Sequence, residues 1–129
     1  MNGADITLFL KDNTKFGSVL AVDLLQHVKT GKAYVINTKP SYTRGRHWVV
    51  LDMTGSKPFF FDSFGNSPSF YNLPPCEYSH KRIQDEDAES CGIYCIYYIT
   101  MGRKGLAVFG KNAKKNDKYV LRWFIKKKF

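Results

Sequence analysis

A polar segment that turns abruptly into an apolar one, at residues 84–98, constrains the fold of this chain more than any other feature. Its sequence is Gln-Asp-Glu-Asp-Ala-Glu-Ser-Cys-Gly-Ile-Tyr-Cys-Ile-Tyr-Tyr, with Cys91 at the change. Ser90 is a residue type favoured at helix N-caps, and the apolar residues that follow surround most of a helical circumference. The pattern therefore predicts a central helix, covered on several sides, that begins at Cys91.

A cysteine in the first turn of a helix lies near free backbone N–H groups and the positive end of the helix dipole. Both favour the thiolate form of a cysteine, which is the form that attacks carbonyl carbon. Cys91 is therefore a candidate nucleophile. The alternative is that it is one more buried thiol, and the residues elsewhere in the chain must decide between the two.

The length and composition predict one domain over residues 1–129, and the helix and strand patterns of the sequence make its expected fold class α+β. A chain of 129 residues, 43% of them hydrophobic, can bury a core of its own. No run approaches the roughly 20 apolar residues that span a bilayer, and the N-terminus lacks the basic and apolar regions of a secretion signal. We therefore expect an intracellular monomer that does not enter a membrane. Three cysteines without a paired Cys-x-x-Cys spacing predict neither a disulfide framework nor a metal site.

The net charge of +9 is concentrated in the last 30 residues. Residues 1–99 contain ten Lys or Arg and ten Asp or Glu, whereas residues 100–129 contain ten Lys or Arg and only Asp117. Tyr119, Trp123 and Phe124 are interleaved with these cations, as in surfaces that bind polyanions. The alternative is a solvated helix face. The candidate binding residues are Lys111, Lys114, Lys115, Lys118, Arg122, Lys126, Lys127 and Lys128.

Short runs rich in Val, Ile, Phe and Trp predict three strands, at residues 33–37, 48–53 and 58–64. Only residues 54–57 separate the second strand from the third, which predicts an antiparallel hairpin. His47 begins the second strand and Asp62 falls near the end of the third. An antiparallel pairing therefore places these two residues at the same end of the sheet.

Helices are predicted on either side of these strands. Leucines at helical spacing predict a helix over residues 19–29, with Gly31 in the left-handed position that often follows a helix. Prolines make residues 65–76 a surface connection. Residues 106–109 could form a short strand, and a last helix should run from 116 or 117 to about 127. Its expected core-facing residues are Val120, Leu121, Trp123 and Phe124.

Four residues supply the groups that cysteine catalysis requires. The reaction needs a thiolate, an imidazole that holds and returns a proton, a group that orients the imidazole, and donors for the oxyanion. Cys91 is the candidate nucleophile, His47 the base and acid, and Asp62 the orienting carboxylate. The side chain of Gln84 and the backbone N–H of Cys91 would form the oxyanion hole.

The order and context of these residues resemble the adenovirus-type maturation proteases, adenain-like relatives of the ubiquitin-like-protein proteases. The resemblance is carried by His47-Trp48 at a strand start, Phe-Phe-Asp-Ser-Phe-Gly at residues 60–65, and Gln84 separated by six residues from Cys91-Gly92. Residues 35–38, Val-Ile-Asn-Thr, resemble the strand before the histidine. The match extends over residues 16–101 and is nearest in appearance to the compact proteases of virophages and of Polinton-type and adintovirus-like elements. It departs from the adenovirus enzyme in a shorter segment between the acid and the glutamine.

The resemblance implies a papain-like core, with a central helix on a small, mostly antiparallel sheet, and a viral thiol protease acting on capsid or core precursors. Cleavage after glycine and a substrate groove closed by Trp48 are part of that implication. So are location in the virion and the infected cell, and DNA, a viral activating peptide, or both as cofactors. Cys76 is a candidate tether for such a peptide.

Two other functions stay open: an isopeptidase acting on ubiquitin or SUMO conjugates, and a basic nucleic-acid-binding protein without enzymatic activity. Other candidate residues are weaker. Cys95 is expected to be a buried core thiol, and His80 lacks the strand context of His47. The acidic residues 85–89 would oppose a thiolate, so we expect them to face solvent or a substrate.

Overall fold

A five-stranded sheet lies at the centre of the protein, with its strands in the spatial order in which they occur in the chain. The computed structural model describes residues 1–39, 47–86 and 88–128. The strands are Phe16–Ala21 (β1), Ala33–Asn37 (β2), Trp48–Asp52 (β3), Phe59–Phe61 (β4) and Glu77–Tyr78 (β5). The two inner pairs are antiparallel, and the outer pairs, β1–β2 and β4–β5, are parallel. The sheet is therefore mixed, where a mostly antiparallel one was predicted.

Among the described residues, three α-helices accompany the sheet: Gly3–Leu10 (α1), Cys91–Met101 (α2) and Ala113–Lys128 (α3). Together with the strands they form an α+β fold, as predicted. Within the part of the chain that the structure describes, no helix is long and apolar enough to cross a membrane.

The two faces of the sheet belong to two separate apolar clusters because strand side chains alternate between faces. Val35, Val50 and Phe61 occupy paired positions on β2, β3 and β4, and all three are buried in the cluster that includes α2. Ile36 pairs with Val49 and belongs to the smaller cluster on the other side. The helix that carries Cys91 is thus packed against the larger core, which holds its N-terminus in a defined place.

The hairpin and its two strands are confirmed, with small differences in length. Val50 pairs with Phe61 and Asp52 with Phe59, so the strands turn at the residues expected. The third predicted strand is shorter, because it ends at Phe61 and leaves Asp62 just beyond it.

The prediction of a helix over residues 19–29 is wrong. Phe16–Ala21 is a strand, and it is followed by a 3₁₀ helix, Val22–His27, in which Leu24 has non-helical backbone angles. The leucines occur at helical spacing because side chains of the 3₁₀ helix, together with Val28, pack against the smaller apolar cluster on the sheet. Gly31 has φ +93°, as expected, but it follows a turn rather than a helix.

Other boundaries also differ from those predicted. The short strand at residues 106–109 is wrong, since Arg103–Val108 is a 3₁₀ helix. The last helix begins at Ala113, three residues early, and Leu121 is 46% exposed, whereas Val120 is buried. Trp123 and Phe124 pack on the core, as predicted.

Candidate active site

His47 and Asp62 meet at one end of the hairpin. His47 directly precedes β3 and Asp62 directly follows β4, and the antiparallel register brings them together. His47 Nε2 lies 2.8 Å from Asp62 Oδ1. The Phe64 ring stacks on the imidazole with centroids 4.8 Å apart. The Asp62 side chain is fully buried, while that of His47 keeps 17% of its surface exposed, so the imidazole can face a ligand and the carboxylate cannot.

The carboxylate of Asp62 accepts two further hydrogen bonds, which fix its orientation. The backbone N–H of Phe64 donates to Oδ1 at 2.9 Å, and the Tyr71 hydroxyl donates to Oδ2 at 2.5 Å. Asn66 Nδ2 in turn donates to the Tyr71 hydroxyl oxygen at 3.3 Å. Tyr71 ends a 3₁₀ helix, Pro68–Tyr71, inside the segment that the sequence predicted only as a surface connection. No sequence pattern marks it as a site residue.

The charges of His47 and Asp62 stabilise each other. Burial alone would lower the pKa of His47, but hydrogen bonds to Asp62 and Cys91, and the charges of both, raise this pKa to about 9. Burial alone would raise the pKa of Asp62, and the bonds from His47, Tyr71 and the Phe64 backbone lower it. The pair therefore favours an imidazolium beside a carboxylate.

Cys91 lies at the first position of α2, and its side chain is one of the groups that raise the pKa of His47. Because Asp62 occupies Nε2, Nδ1 is the ring nitrogen left for the thiol. The helix start predicted at Cys91 is confirmed. Ser90 precedes it with φ −92° and ψ 4°, and its side chain makes no capping hydrogen bond, so packing rather than a serine cap determines where α2 begins.

Gln84 is fully buried and its side-chain amide has a defined orientation. The Ser63 hydroxyl donates to Oε1, and Nε2 donates to the carbonyl oxygen of Ala88 at 2.9 Å. The carbonyl of Ser63 also accepts the backbone N–H groups of Ile83 and Gln84, at 2.9 and 3.1 Å. Ser63 directly follows Asp62, so one turn after β4 positions both residues.

One cleft of about 570 Å³ brings these residues together. Its lining residues are Met1, His47, Trp48, Phe64, Gln84, Ala88, Glu89 and Cys91. Asp62 lies behind His47, outside the cleft. The residues singled out from the sequence for nucleophile, base and oxyanion donor therefore share one cavity.

Trp48 is 7% exposed and belongs mainly to the core. A Cβ added to Gly92 would lie 3.4 Å from Trp48 Cδ1, so the indole packs closely on the first turn of α2. What remains accessible of the ring lines the cleft. Its assignment to substrate binding stays a prediction.

The other candidates lie away from this cleft. His80 contacts the Tyr78 ring, with centroids 4.0 Å apart, and is not among the residues that line the cleft. Cys95 is 1% exposed, and burial raises its pKa, as expected of a core thiol. Cys76, Cys91 and Cys95 form no disulfide with one another, and burial raises the pKa of Cys76.

The acidic residues before Cys91 have different environments. Glu86 is exposed and pairs with Arg82 at 3.1 Å, and Glu89 is exposed at the edge of the cleft. Asp85 is half-buried, and Asp87 lies outside the described residues. The two exposed carboxylates fit the expectation that this run faces solvent or a substrate.

The basic candidates are all exposed. Lys111 precedes α3 and the other seven lie on it. Among residues 1–39, 47–86 and 88–128, no group of three His, Cys, Asp or Glu side chains could hold a metal ion.

Comparison with known proteins gives no independent assignment. The chain matches no family model, and no curated protein matches it.

Proposed function

We propose that this protein is a cysteine endopeptidase in which Cys91 is the nucleophile, His47 the proton carrier and Asp62 the orienting carboxylate. The proposal rests on one observation above all. His47 is hydrogen-bonded to the buried Asp62, Cys91 helps to raise the pKa of His47, and one cleft is lined by His47, Cys91 and Gln84. These are the groups that an acyl transfer to a thiol needs.

The first half of the reaction would form a thioester. With its proton held by His47, Cys91 Sγ attacks the scissile carbonyl carbon, and the π electrons move onto the oxygen. That oxyanion accepts hydrogen bonds from the Cys91 backbone N–H and from the second N–H of Gln84 Nε2. His47 then donates its proton to the amide nitrogen, the C–N bond breaks, and the amine product leaves.

The second half would release the acid. Neutral His47 removes a proton from water, the oxygen attacks the thioester carbon, and the oxyanion occupies the same site. The C–S bond breaks, and the carboxylic acid leaves. Asp62 keeps the imidazole in one orientation through both halves because its carboxylate is held by Tyr71 and the Phe64 backbone.

We further propose a viral maturation protease of the adenain-like, papain-like type, acting on capsid or core precursors after a glycine. The sequence order of the site and its Phe-Asp-Ser-Phe-Gly context support this class. Closure by an aromatic ring such as Trp48 would leave no room for a Cβ, which favours glycine. DNA, or a peptide tethered at Cys76, would be the cofactor, and the protein would act in the virion and the infected cell.

Removal of the Cys91 thiol tests the catalytic proposal. Cys91→Ser and Cys91→Ala should lower hydrolysis of glycine-containing capsid peptides by about 10³-fold or more, without a change in thermal unfolding. His47→Ala should do the same, and His80→Ala, the control, should retain turnover. Co-expression with a capsid precursor and mass spectrometry of the new termini would identify the cleaved bond. Normal processing by Cys91→Ala would contradict the proposal.

A nucleic-acid-binding function without catalysis is the second candidate, and the exposed basic face of α3 favours it. The same co-expression experiment separates the two functions. Faster turnover of ubiquitin or SUMO C-terminal substrates than of capsid peptides would instead indicate an isopeptidase.

A further inference from the structure

The first turn of α3 is hydrogen-bonded to the segment that carries Gln84. Asn116 is 5% exposed, and its Nδ2 donates to the carbonyl oxygens of Ile83 and Gly110 at 3.1 and 2.9 Å. Its Oδ1 accepts the N–H of Gly110 at 3.0 Å. Every polar atom of this amide is used, so the side chain has a single orientation.

Asp117, the next residue, is bonded to the other side of the same segment. Its Oδ2 accepts the backbone N–H of Asp85 at 3.3 Å, and its Oδ1 accepts the Tyr94 hydroxyl at 2.6 Å. Tyr94 belongs to α2, and its hydroxyl also lies 3.2 Å from the carbonyl oxygen of Ile83. The carboxylate therefore links α2, α3 and the Gln84 segment.

The peptide groups held in this way lie directly before and after Gln84. The Ile83 carbonyl belongs to the peptide that precedes Gln84, and the Asp85 N–H belongs to the peptide that follows it. Residues 83–86 form neither helix nor strand, so contacts with other parts of the fold hold their backbone. The N–H groups of Ile83 and Gln84 donate to the carbonyl of Ser63, whereas the Ile83 carbonyl and the Asp85 N–H are held by Asn116 and Asp117.

We propose that Asn116 and Asp117 are positioning residues for Gln84, which place its amide N–H where the oxyanion forms. The inference rests on the proposed protease function and assigns neither residue a contact with substrate. An oxyanion donor acts only within hydrogen-bond distance of the developing charge, so a small displacement of the backbone at Gln84 would weaken it.

Two nearly isosteric substitutions remove this support without changing side-chain volume. Asp117→Asn turns one of two acceptors into a donor, so the side chain cannot accept from both Asp85 and Tyr94. Asn116→Asp places a carboxylate against the carbonyls of Ile83 and Gly110. Leu121→Ala, on an exposed position of the same helix, is the control.

Three measurements on each purified variant separate positioning of Gln84 from general damage. We expect kcat to fall about 10-fold or more with KM unchanged. A peptide aldehyde forms a tetrahedral adduct when the Cys91 thiol adds to its carbonyl carbon. The affinity for this aldehyde should fall by about the same factor as kcat. The rate of Cys91 alkylation by iodoacetamide should stay within twofold of wild type, because alkylation forms no oxyanion.

The inference would be overturned if Asp117→Asn kept the kcat and the aldehyde affinity of the wild type. It would also be overturned if the alkylation rate fell by the same factor as kcat. If a variant fails to fold, Tyr94→Phe removes only the hydroxyl that bonds to Asp117 and should shift kcat in the same direction.

If the wild type hydrolyses no peptide, the proposed function fails, and the NMR signals of the Gln84 side-chain amide test positioning alone. We expect slow hydrogen exchange in the wild type and exchange at least 10-fold faster in Asp117→Asn. Equal exchange rates would overturn the inference.

Discussion

The protonation state of His47 couples the site to pH. Its raised pKa, about 9 against an ordinary 6.5, means that the folded protein binds this proton more tightly than the unfolded chain does. The stability that results is complete below pH 6.5 and is lost as the pH rises through about 9. The contribution of the imidazolium to stability is therefore lost between pH 6.5 and about 9.

We predict an alkaline limb near pH 9 in the pH profile of kcat/KM, because the imidazolium must donate its proton to the leaving amine. Asp62→Asn removes the negative charge that favours the imidazolium and should move this limb to lower pH. Peptide hydrolysis measured from pH 6 to about 10 checks both. A wild-type profile that stays flat to pH 10, or a limb that Asp62→Asn leaves in place, would contradict the assignment of His47.

Tyr71→Phe should weaken the hold on Asp62 without removing the carboxylate. A hydrogen bond to a charged group contributes about 1.5–3 kcal/mol, so we expect a loss of this order in the free energy of unfolding at neutral pH. The hydroxyl lowers the pKa of Asp62, and stability from a lowered carboxyl pKa is lost as the pH falls. Acid unfolding of the variant should therefore begin at a higher pH.

Chemical denaturation at pH 7 and at pH 4 measures the effect of Tyr71→Phe. Tyr78→Phe is the matched control, because the ring contact between Tyr78 and His80 needs no hydroxyl. Equal stability of the two variants at both pH values would show that the bond to Asp62 contributes nothing.

At the level of elements, local patterns were predictable and nonlocal ones were not. The β3–β4 hairpin joins residues close in sequence, so apolar runs and a short turn were enough to predict it. β1 pairs in parallel with β2 across the 3₁₀ helix, and its partly buried residues carry no clear period. The leucines after it repeat at helical spacing for another reason, since they cover the sheet.

The same distinction applies to the site. His47, Asp62, Gln84 and Cys91 could be proposed because each residue type has a chemical role and a recognisable neighbourhood. Support residues such as Tyr71 and Asp117 have neither, because their importance comes from contacts that only the fold creates. Tyr71 lies in a proline-rich connection, and Asp117 is the one acidic residue in a basic segment.

The turn after β4 positions Asp62 directly and Gln84 through Ser63, and this turn includes Gly65. This residue has φ +78°, and an added Cβ would lie 2.9 Å from the backbone of Lys81 and of Arg82. Gly31 also has a positive φ, +93°, but nothing lies within 4 Å of its Cβ position. The two glycines therefore share a backbone constraint and differ in steric environment.

We predict that Gly65→Ala destabilises the protein by about 3 kcal/mol or more, because a left-handed alanine and a clash with backbone add together. Gly31→Ala should cost only about 1–2 kcal/mol, from the backbone conformation alone. Urea unfolding of both variants measures the difference. Similar losses would show that the segment at Lys81 and Arg82 moves away without cost.

At the scale of the whole molecule, α3 has two faces with different tasks. Asn116 and Asp117, near its N-terminus, contact the Gln84 segment, and Val120 is fully buried in the core. Its outer face has Lys115, Lys118, Arg122 and Lys126 at spacings of three and four residues, all exposed. One helix thus connects the proposed oxyanion hole to the strongest positive charge on the chain.

We predict that this face binds duplex DNA and that binding weakens steeply with salt, because neutralised phosphates release counterions. Changing Lys115, Lys118, Arg122 and Lys126 to Gln should reduce the slope of log K against log[salt] by about 0.9 for each phosphate that is no longer neutralised. A matched variant with Gln at Lys11, Lys29, Lys39 and Lys57, which are also exposed, should retain most of the slope.

Fluorescence anisotropy between 50 and 200 mM salt measures the slopes, and peptide turnover with and without DNA measures coupling to the site. If α3 transmits binding to Gln84, DNA should change kcat in the wild type and not in the α3 charge variant. Negligible affinity at low salt would exclude this face as a DNA site. Binding without any change in turnover would separate the basic face from catalysis.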